Sequence, residues 1–142
     1  MKSRRQAQEG FTLIEIMVVI AIIGLLATLV VQSLRGATDK AKRTKAMADI
    51  AELKTALDRY YIDNGSYPTS DQGLNALVNP PSSGNIPANY EEGGYIRRIP
   101  ADPWGNQYAY QSDGSNYSLK SLGADGAEGG SGKNADIDAS QF

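Results

Sequence analysis

The sequence predicts an α+β fold in which a long N-terminal helix packs on a small antiparallel sheet and the C-terminal region is rich in loops. Three observations predict this fold class. An apolar run occupies residues 11–31, an amphipathic pattern follows it and ends at Asn64 and Gly65, and a hairpin pattern surrounds Asp113 and Gly114. The first two patterns give the helix and the third gives the sheet.

The apolar run is long enough to cross a membrane. It is broken by only four residues, Thr12, Glu15, Gly24 and Thr28. A helix of this length spans roughly 30 Å, which is the thickness of a bilayer core. The basic residues of the leader before it favour a cytoplasmic N-terminus with the rest of the chain outside. A cleaved secretory signal is the alternative, but the run is too long and no A-x-A site follows it.

A second helical segment follows the apolar run. Five apolar residues recur at spacings of three and four, namely Ala46, Ile50, Leu53, Leu57 and Tyr60. Charged residues fill the other faces, so this segment is predicted to be amphipathic and to bury its apolar stripe against a sheet. Gly36, between the two segments, predicts a bend or a locally unwound stretch.

The region after Gly65 is rich in proline and predicts mostly loops. A short helix is predicted at residues 70–78, where a polar cap opens it and Asn79-Pro80 closes it. The segment "NQYAYQSDGSNYSLKSL" predicts a hairpin that turns at Asp113-Gly114. Its tyrosines and Trp104 are expected to cover one face of the sheet, and a carbohydrate-stacking platform is the alternative.

Composition excludes several classes of function. The chain has 142 residues, no His and no Cys, which excludes catalysis by a histidine base or a thiolate, disulfides and thiolate zinc sites. The formal net charge is −2, so the chain lacks the excess positive charge that favours binding to nucleic acid. No phosphate-binding G-x-x-x-x-G-K-[ST] loop occurs, which argues against an ATPase.

The segment "EGFTLIE", between the basic leader and the apolar run, carries a specific signal. It resembles the type III signal of type IV pilins and of type II secretion pseudopilins. The resemblance implies that a membrane aspartyl peptidase cuts between Gly10 and Phe11, methylates the new N-terminal residue and leaves the apolar helix in place. Gly10 suits a narrow protease site because it has no side chain.

Glu15 is unusual because it lies inside the apolar run. An unpaired charge in mid-membrane costs on the order of 2.5–3.5 kcal/mol, whereas a paired charge is largely compensated. Cleavage would create an ammonium group at Phe11, and the carboxylate of Glu15 in one subunit could pair with the Phe11 amine of its neighbour. The alternative is a carboxylate that reaches the lipid headgroups. The pairing predicts that assembly relieves the cost of Glu15.

Three further segments, "YPTSDQGLNALV", "GYIRRIPADPWGNQYAY" and "SLGADG", resemble the major pseudopilin of type II secretion systems. The resemblance covers essentially the whole chain. It implies a type IV pilin-like fold with a leader at residues 1–10, a transmembrane and polymerisation helix at 11–34 and a periplasmic head at 35–142. Many type IV pilins close their C-terminal loop with a disulfide, which this chain cannot form.

Residues 121–138 have the composition of a flexible Gly/Ser loop, yet they also contain Asp125, Asp136 and Asp138. Carboxylates and turned backbone carbonyls are ligands that Ca²⁺ accepts, although the EF-hand pattern is absent. The resemblance implies one calcium ion in this loop. It assigns side-chain ligation to Asp125 and Asp136 and backbone ligation to Leu122 and Ala127.

The remaining calcium ligands stay open, because Ser131 or Asn134 could complete the shell. The chain also departs from the family at its end, where Asp138-Ala139-Ser140 stands in place of the usual Gly and Asn-Trp pair.

The resemblance implies a structural subunit, not an enzyme, that polymerises into a periplasmic pseudopilus and supports export of folded proteins across the outer membrane. The implied partners are other copies of the chain, minor pseudopilins, the inner-membrane assembly platform, the prepilin peptidase/methyltransferase and the membrane. The implied location is the inner membrane, with the head in the periplasm. The alternatives are a type IV pilin that forms a surface fibre and a single-span protein with an enzymatic or ligand-binding head.

Overall fold

The computed structural model describes residues 10–142, without the side chain of Arg35. The predicted leader, residues 1–10, lies outside the described residues except for Gly10. The chain divides into two compact units between Thr38 and Asp39, a few residues beyond the boundary predicted before residue 35.

Helix α1 runs from Leu13 to Asn64. Its end is the predicted one: Gly65 adopts φ 73° and its N–H donates to the Tyr61 carbonyl oxygen at 2.7 Å. A positive φ suits glycine, so the helix stops there. The prediction of local unwinding at Gly36 was wrong, because α1 continues through it. One glycine costs a helix only about 1 kcal/mol, which is too little to interrupt it.

The second unit has a core built on the predicted apolar stripe of α1. The five stripe residues are at most 2% exposed, so the amphipathic prediction is confirmed. They join one cluster with Leu77, Leu119 and Ile137, which come from the middle of the chain, the hairpin and the C-terminal segment. The C-terminal segment therefore shares its apolar core with the helix.

The helix predicted at residues 70–78 is shorter than expected. Residues Leu74–Leu77 form one turn of 3-10 helix, and residues 70–73 form a turn before it. Gly73 has φ 61° and ψ −171°, which is not a helical conformation. The Leu77 carbonyl oxygen accepts hydrogen bonds from the backbone N–H groups of Tyr95 and Ile96. Hydrogen bonds to a distant segment therefore replace helical hydrogen bonds at the C-terminal end of this short helix.

The sheet contains the predicted hairpin and one further strand. Strands β1 (Ala109–Ser112), β2 (Tyr117–Ser121) and β3 (Ile137–Asp138) pair antiparallel in the order β1-β2-β3. Asp113 closes the hairpin, since its Oδ1 accepts from the backbone N–H groups of Ser115 and Asn116, each at 2.8 Å. These hydrogen bonds lower the pKa of Asp113, and the bond from Asn116 has the largest effect. The sequence did not predict β3, because two residues show no periodicity.

The aromatic residues pack against the core. Tyr60, Tyr90 and Tyr95 form a cluster with ring centroids 5.2–6.3 Å apart. Trp104 is partly buried and packs against the same core. Burial raises the pKa of Tyr60 and of Tyr95 above the usual range.

Candidate functional site

Two regions contain the residues that the sequence predicted to be functional. The first is the start of α1. Gly10 and Phe11 precede the helix in an exposed segment without regular secondary structure, and Phe11 is 80% exposed. The peptide bond between them is therefore outside any helical hydrogen-bonding pattern, as a protease substrate requires.

Glu15 makes a local contact that the sequence analysis missed. Its Oε2 accepts a hydrogen bond from the Thr12 backbone N–H at 3.4 Å, and its own backbone N–H donates to Thr12 Oγ1 at 3.2 Å. This reciprocal arrangement is a capping box, and the T-x-x-E spacing could have predicted it. Glu15 therefore caps the helix within one chain in addition to any role between chains.

The large apolar side chains in the described part of the first unit are exposed. Between Phe11 and Leu34 each large apolar side chain is at least 44% exposed. By length and composition, α1 is the one helix among the described residues that could cross a membrane. Such a surface requires lipid or another apolar helix to cover it.

The second region is the C-terminal loop, residues 121–138. Strand β3 brings its two ends together, because Ser121 pairs with Ile137 and Lys120 with Asp138. Inside the loop, the Ala124 N–H donates to the Lys133 carbonyl oxygen at 3.0 Å. The loop therefore leaves the sheet at the end of β2 and returns to it at β3, and an internal hydrogen bond connects its two halves.

Two glycines let the loop fold tightly around Asn134. A Cβ at Gly123 would lie 2.7 Å from the Asn134 carbonyl oxygen, and one at Gly130 would lie 2.5 Å from it. Both glycines also adopt positive φ. No other residue fits these positions, so the composition that suggested a flexible linker instead builds a compact turn.

The structure places the predicted calcium ligands as follows. Asp136 is half-buried, and its Oδ1 is a buried atom without a hydrogen-bond partner among the described residues. Asp125 is exposed, and its Oδ1 accepts from the Ala127 N–H at 3.2 Å. The other four candidate ligands also lie in the loop: Leu122 and Asn134 are half-buried, and Ala127 and Ser131 are exposed.

Carboxylate and carbonyl oxygens are the ligand types that a hard cation prefers. A buried carboxylate oxygen without a partner is costly, and a bound cation would satisfy it. Among residues 10–142, no three His, Cys, Asp or Glu side chains converge on a metal position. A site here would therefore need backbone carbonyls, which Ca²⁺ accepts readily.

Asp138 does not join the loop carboxylates. Its Oδ1 accepts from the Ser140 N–H at 2.7 Å and caps the 3-10 helix at Ala139–Gln141. That hydrogen bond is the main reason why the pKa of Asp138 is lowered.

Comparison with known proteins identifies the family. The family described as type II secretion system (T2SS), protein G, matches residues 33–140. The prokaryotic N-terminal methylation motif matches residues 5–31. The chain belongs to the type II secretion system protein G family.

Individual relatives agree with this assignment. Type II secretion system core protein G of Vibrio cholerae is 54% identical over 139 residues, which cover 96% of this chain and 94% of that protein. The Pseudomonas aeruginosa protein of the same name is 50% identical and covers 94% of this chain and 96% of its own length. The crystal structure of the major pseudopilin from enterohaemorrhagic Escherichia coli matches with a TM-score of 0.65 at 41% identity, covering 77% of this chain and 95% of that one. The predicted family and fold are both confirmed.

In this protein G family member, a buried polar pair supports the start of the C-terminal loop. Asp102 and Ser121 are 4% and 0% exposed, and the Ser121 hydroxyl donates to Asp102 Oδ2 at 3.0 Å. The same hydroxyl oxygen accepts from the Gly123 N–H at 3.3 Å. Asp102 Oδ1 accepts from the Asn106 N–H at 2.7 Å, so the "DPWGN" turn is linked to the loop.

A second support in this protein G family member comes from α1. The Arg43 guanidinium donates from Nη1 to the backbone carbonyl oxygens of Gly132 at 3.2 Å and Ala135 at 3.0 Å. These two carbonyls flank Asn134. Arg43 therefore ties the far side of the loop to the helix, and no local sequence pattern indicated this contact.

Proposed function

We propose that this chain is a structural subunit that polymerises into the periplasmic pseudopilus of a type II secretion system and so supports export of folded proteins across the outer membrane. The family match over residues 33–140 carries this conclusion. The apolar, exposed first unit supports it, because a helix without a covering surface is suited to a membrane before assembly and to neighbouring helices afterwards.

In this function the chain acts by assembly and has no catalytic role. Its partners are other copies of itself, minor pseudopilins, an inner-membrane assembly platform and the prepilin peptidase/methyltransferase. The helix crosses the inner membrane once, with the N-terminus in the cytoplasm and the head in the periplasm. The N-terminal methylation motif at residues 5–31 supports the processing step and the membrane anchor.

Deleting the gene for this chain in its native host should block secretion, and secreted enzymes should accumulate in the periplasm. A plasmid copy should restore their appearance in the medium. Enzyme activity in medium and periplasm is the measurement. Normal secretion combined with the loss of shear-resistant surface fibres would instead indicate a type IV pilin.

Processing should remove residues 1–10, so that the mature protein begins at Phe11 with one added methyl group on its amine. Intact-mass measurement of protein taken from native membranes tests this. Assembled filaments whose subunits still begin at Met1 would contradict it. Protein expressed in cells that lack the peptidase provides the reference mass of the unprocessed chain.

We further propose that the C-terminal loop binds one calcium ion. Asp125 and Asp136 would contribute side-chain oxygens, Leu122 and Ala127 would contribute backbone carbonyls, and Ser131 or Asn134 would complete the shell. The buried, unpartnered Oδ1 of Asp136 supports this proposal. When bound, the ion would cross-link the two halves of a loop that contains few apolar residues.

A further inference from the structure

The ammonium group of Lys120 lies beside carboxylates of the C-terminal loop. It lies on β2, and its Nζ donates to Glu128 Oε1 at 2.7 Å. The same ammonium group lies 3.8 Å from Asp136 Oδ2. The Lys120 side chain is 23% exposed and that of Asp136 is 21% exposed, so this pair is partly shielded from water.

Asp136 therefore has two differently placed oxygens. Its Oδ2 faces the Lys120 ammonium, whereas its Oδ1 is buried without a partner. Among the ion pairs of residues 10–142, the Lys120 ammonium is the one cation paired with this carboxylate. A divalent ion bound at Asp136 would experience repulsion from the same ammonium, because like charges a few ångströms apart interact strongly at a partly buried site.

We propose that Lys120 is an internal counter-cation that holds the carboxylates of the C-terminal loop in the metal-free protein and lowers the calcium affinity by competing with the ion. This inference rests on the proposed calcium site. Without calcium, Lys120 positions the loop carboxylates. With calcium, Lys120 lowers the affinity of the site for the ion. The first role acts through Glu128 and Asp136, and the second acts through Asp136, which the ammonium and the ion share.

The proposal predicts two effects of opposite sign from one substitution. Lys120→Met keeps most of the length of the unbranched side chain and removes its charge. Without calcium, the variant loop should be cut faster by protease because its carboxylates lose their counter-cation. With calcium, the variant should bind the ion roughly tenfold more tightly, since one repulsive unit charge is gone.

Lys133→Met is the matched control. Lys133 lies in the same loop and is exposed, and none of the ion pairs among residues 10–142 includes it. Its substitution changes the net charge of the protein by the same amount. We expect its calcium affinity to stay within about twofold of the parent, because an exposed charge is well screened.

The experiment is calorimetric titration of the full chain in detergent with CaCl₂, followed by limited proteolysis with and without chelator. Lys120→Gln is included in case the Met variant does not fold, and melting curves check folding. Tighter binding in the Lys120 variants alone supports the proposal. Weaker or unchanged binding in them, or an equal gain in Lys133→Met, overturns it while calcium binding by the parent stands. If neither the parent nor the Lys120 variants bind calcium, the calcium site itself fails and the inference fails with it.

Discussion

Replacing Glu15 with valine is expected to abolish filament assembly while leaving membrane insertion intact or improving it. An unpaired carboxylate in the membrane costs on the order of 2.5–3.5 kcal/mol, so its removal favours insertion. Assembly would lose the partner of the Phe11 ammonium and with it the register between subunits. Membrane fractionation measures insertion, and electron microscopy of filaments after overexpression measures assembly.

The capping box makes two control variants necessary. Glu15→Gln retains a side chain that can cap the helix but carries no charge, whereas Thr12→Val removes the hydroxyl cap and keeps the charge. If pairing between subunits decides assembly, Glu15→Gln should fail like Glu15→Val, and Thr12→Val should still form filaments. Filaments from Glu15→Gln but not from Glu15→Val would show that capping is the important role. Abundant filaments from both Glu15 variants would mean that the carboxylate only reaches the headgroups.

Chelation of calcium is expected to lower the melting temperature of the full chain in detergent and to expose residues 121–138 to protease. A ligand at a hundredfold excess over its dissociation constant stabilises a folded protein by about 2.7 kcal/mol. For a folded unit of this size, that corresponds to a shift of about 10 °C or more. Mg²⁺ should substitute poorly, because it requires a compact octahedron that an irregular loop is unsuited to form.

Substitutions in the loop should separate calcium ligands from other carboxylates. Asp125→Ala and Asp136→Ala should each reproduce the chelated behaviour with calcium present. Asp138→Ala is the matched control, because its carboxylate already caps the 3-10 helix through the Ser140 N–H. It should lose roughly 1 kcal/mol of stability and still respond to calcium. Identical melting curves of the parent in chelator and in millimolar calcium would end the calcium proposal.

The parts of the fold that the sequence predicted are those with a repeating or specific local pattern. The apolar stripe of α1 repeats over four turns, and Asp113-Gly114 is a strong hairpin turn, so both were found. The family resemblance came from short segments with unusual residue order. The capping partner of Glu15 was also readable, because Thr12 stands at the spacing that a capping box requires.

The parts that were missed depend on contacts between distant residues. Arg43 reaches carbonyls 89 and 92 residues further along the chain, and nothing near it in sequence indicates those partners. Lys120 has ordinary neighbours within β2, and its importance appears only when the loop returns to it. The two residues of β3 form a strand only because β2 is already there to pair with them.

Strand β3 has a consequence for a chain that is not yet complete. It covers the outer edge of β2 at Lys120 and Ser121, and its own Ile137 is only 1% exposed. A polypeptide that has emerged only as far as Asp136 would present β2 with unpaired backbone N–H and C=O groups, and such a strand readily adds a strand from another molecule. Residues Ile137 and Asp138 thus protect β2 from edge-to-edge pairing with another molecule, and a chain interrupted before them lacks that protection.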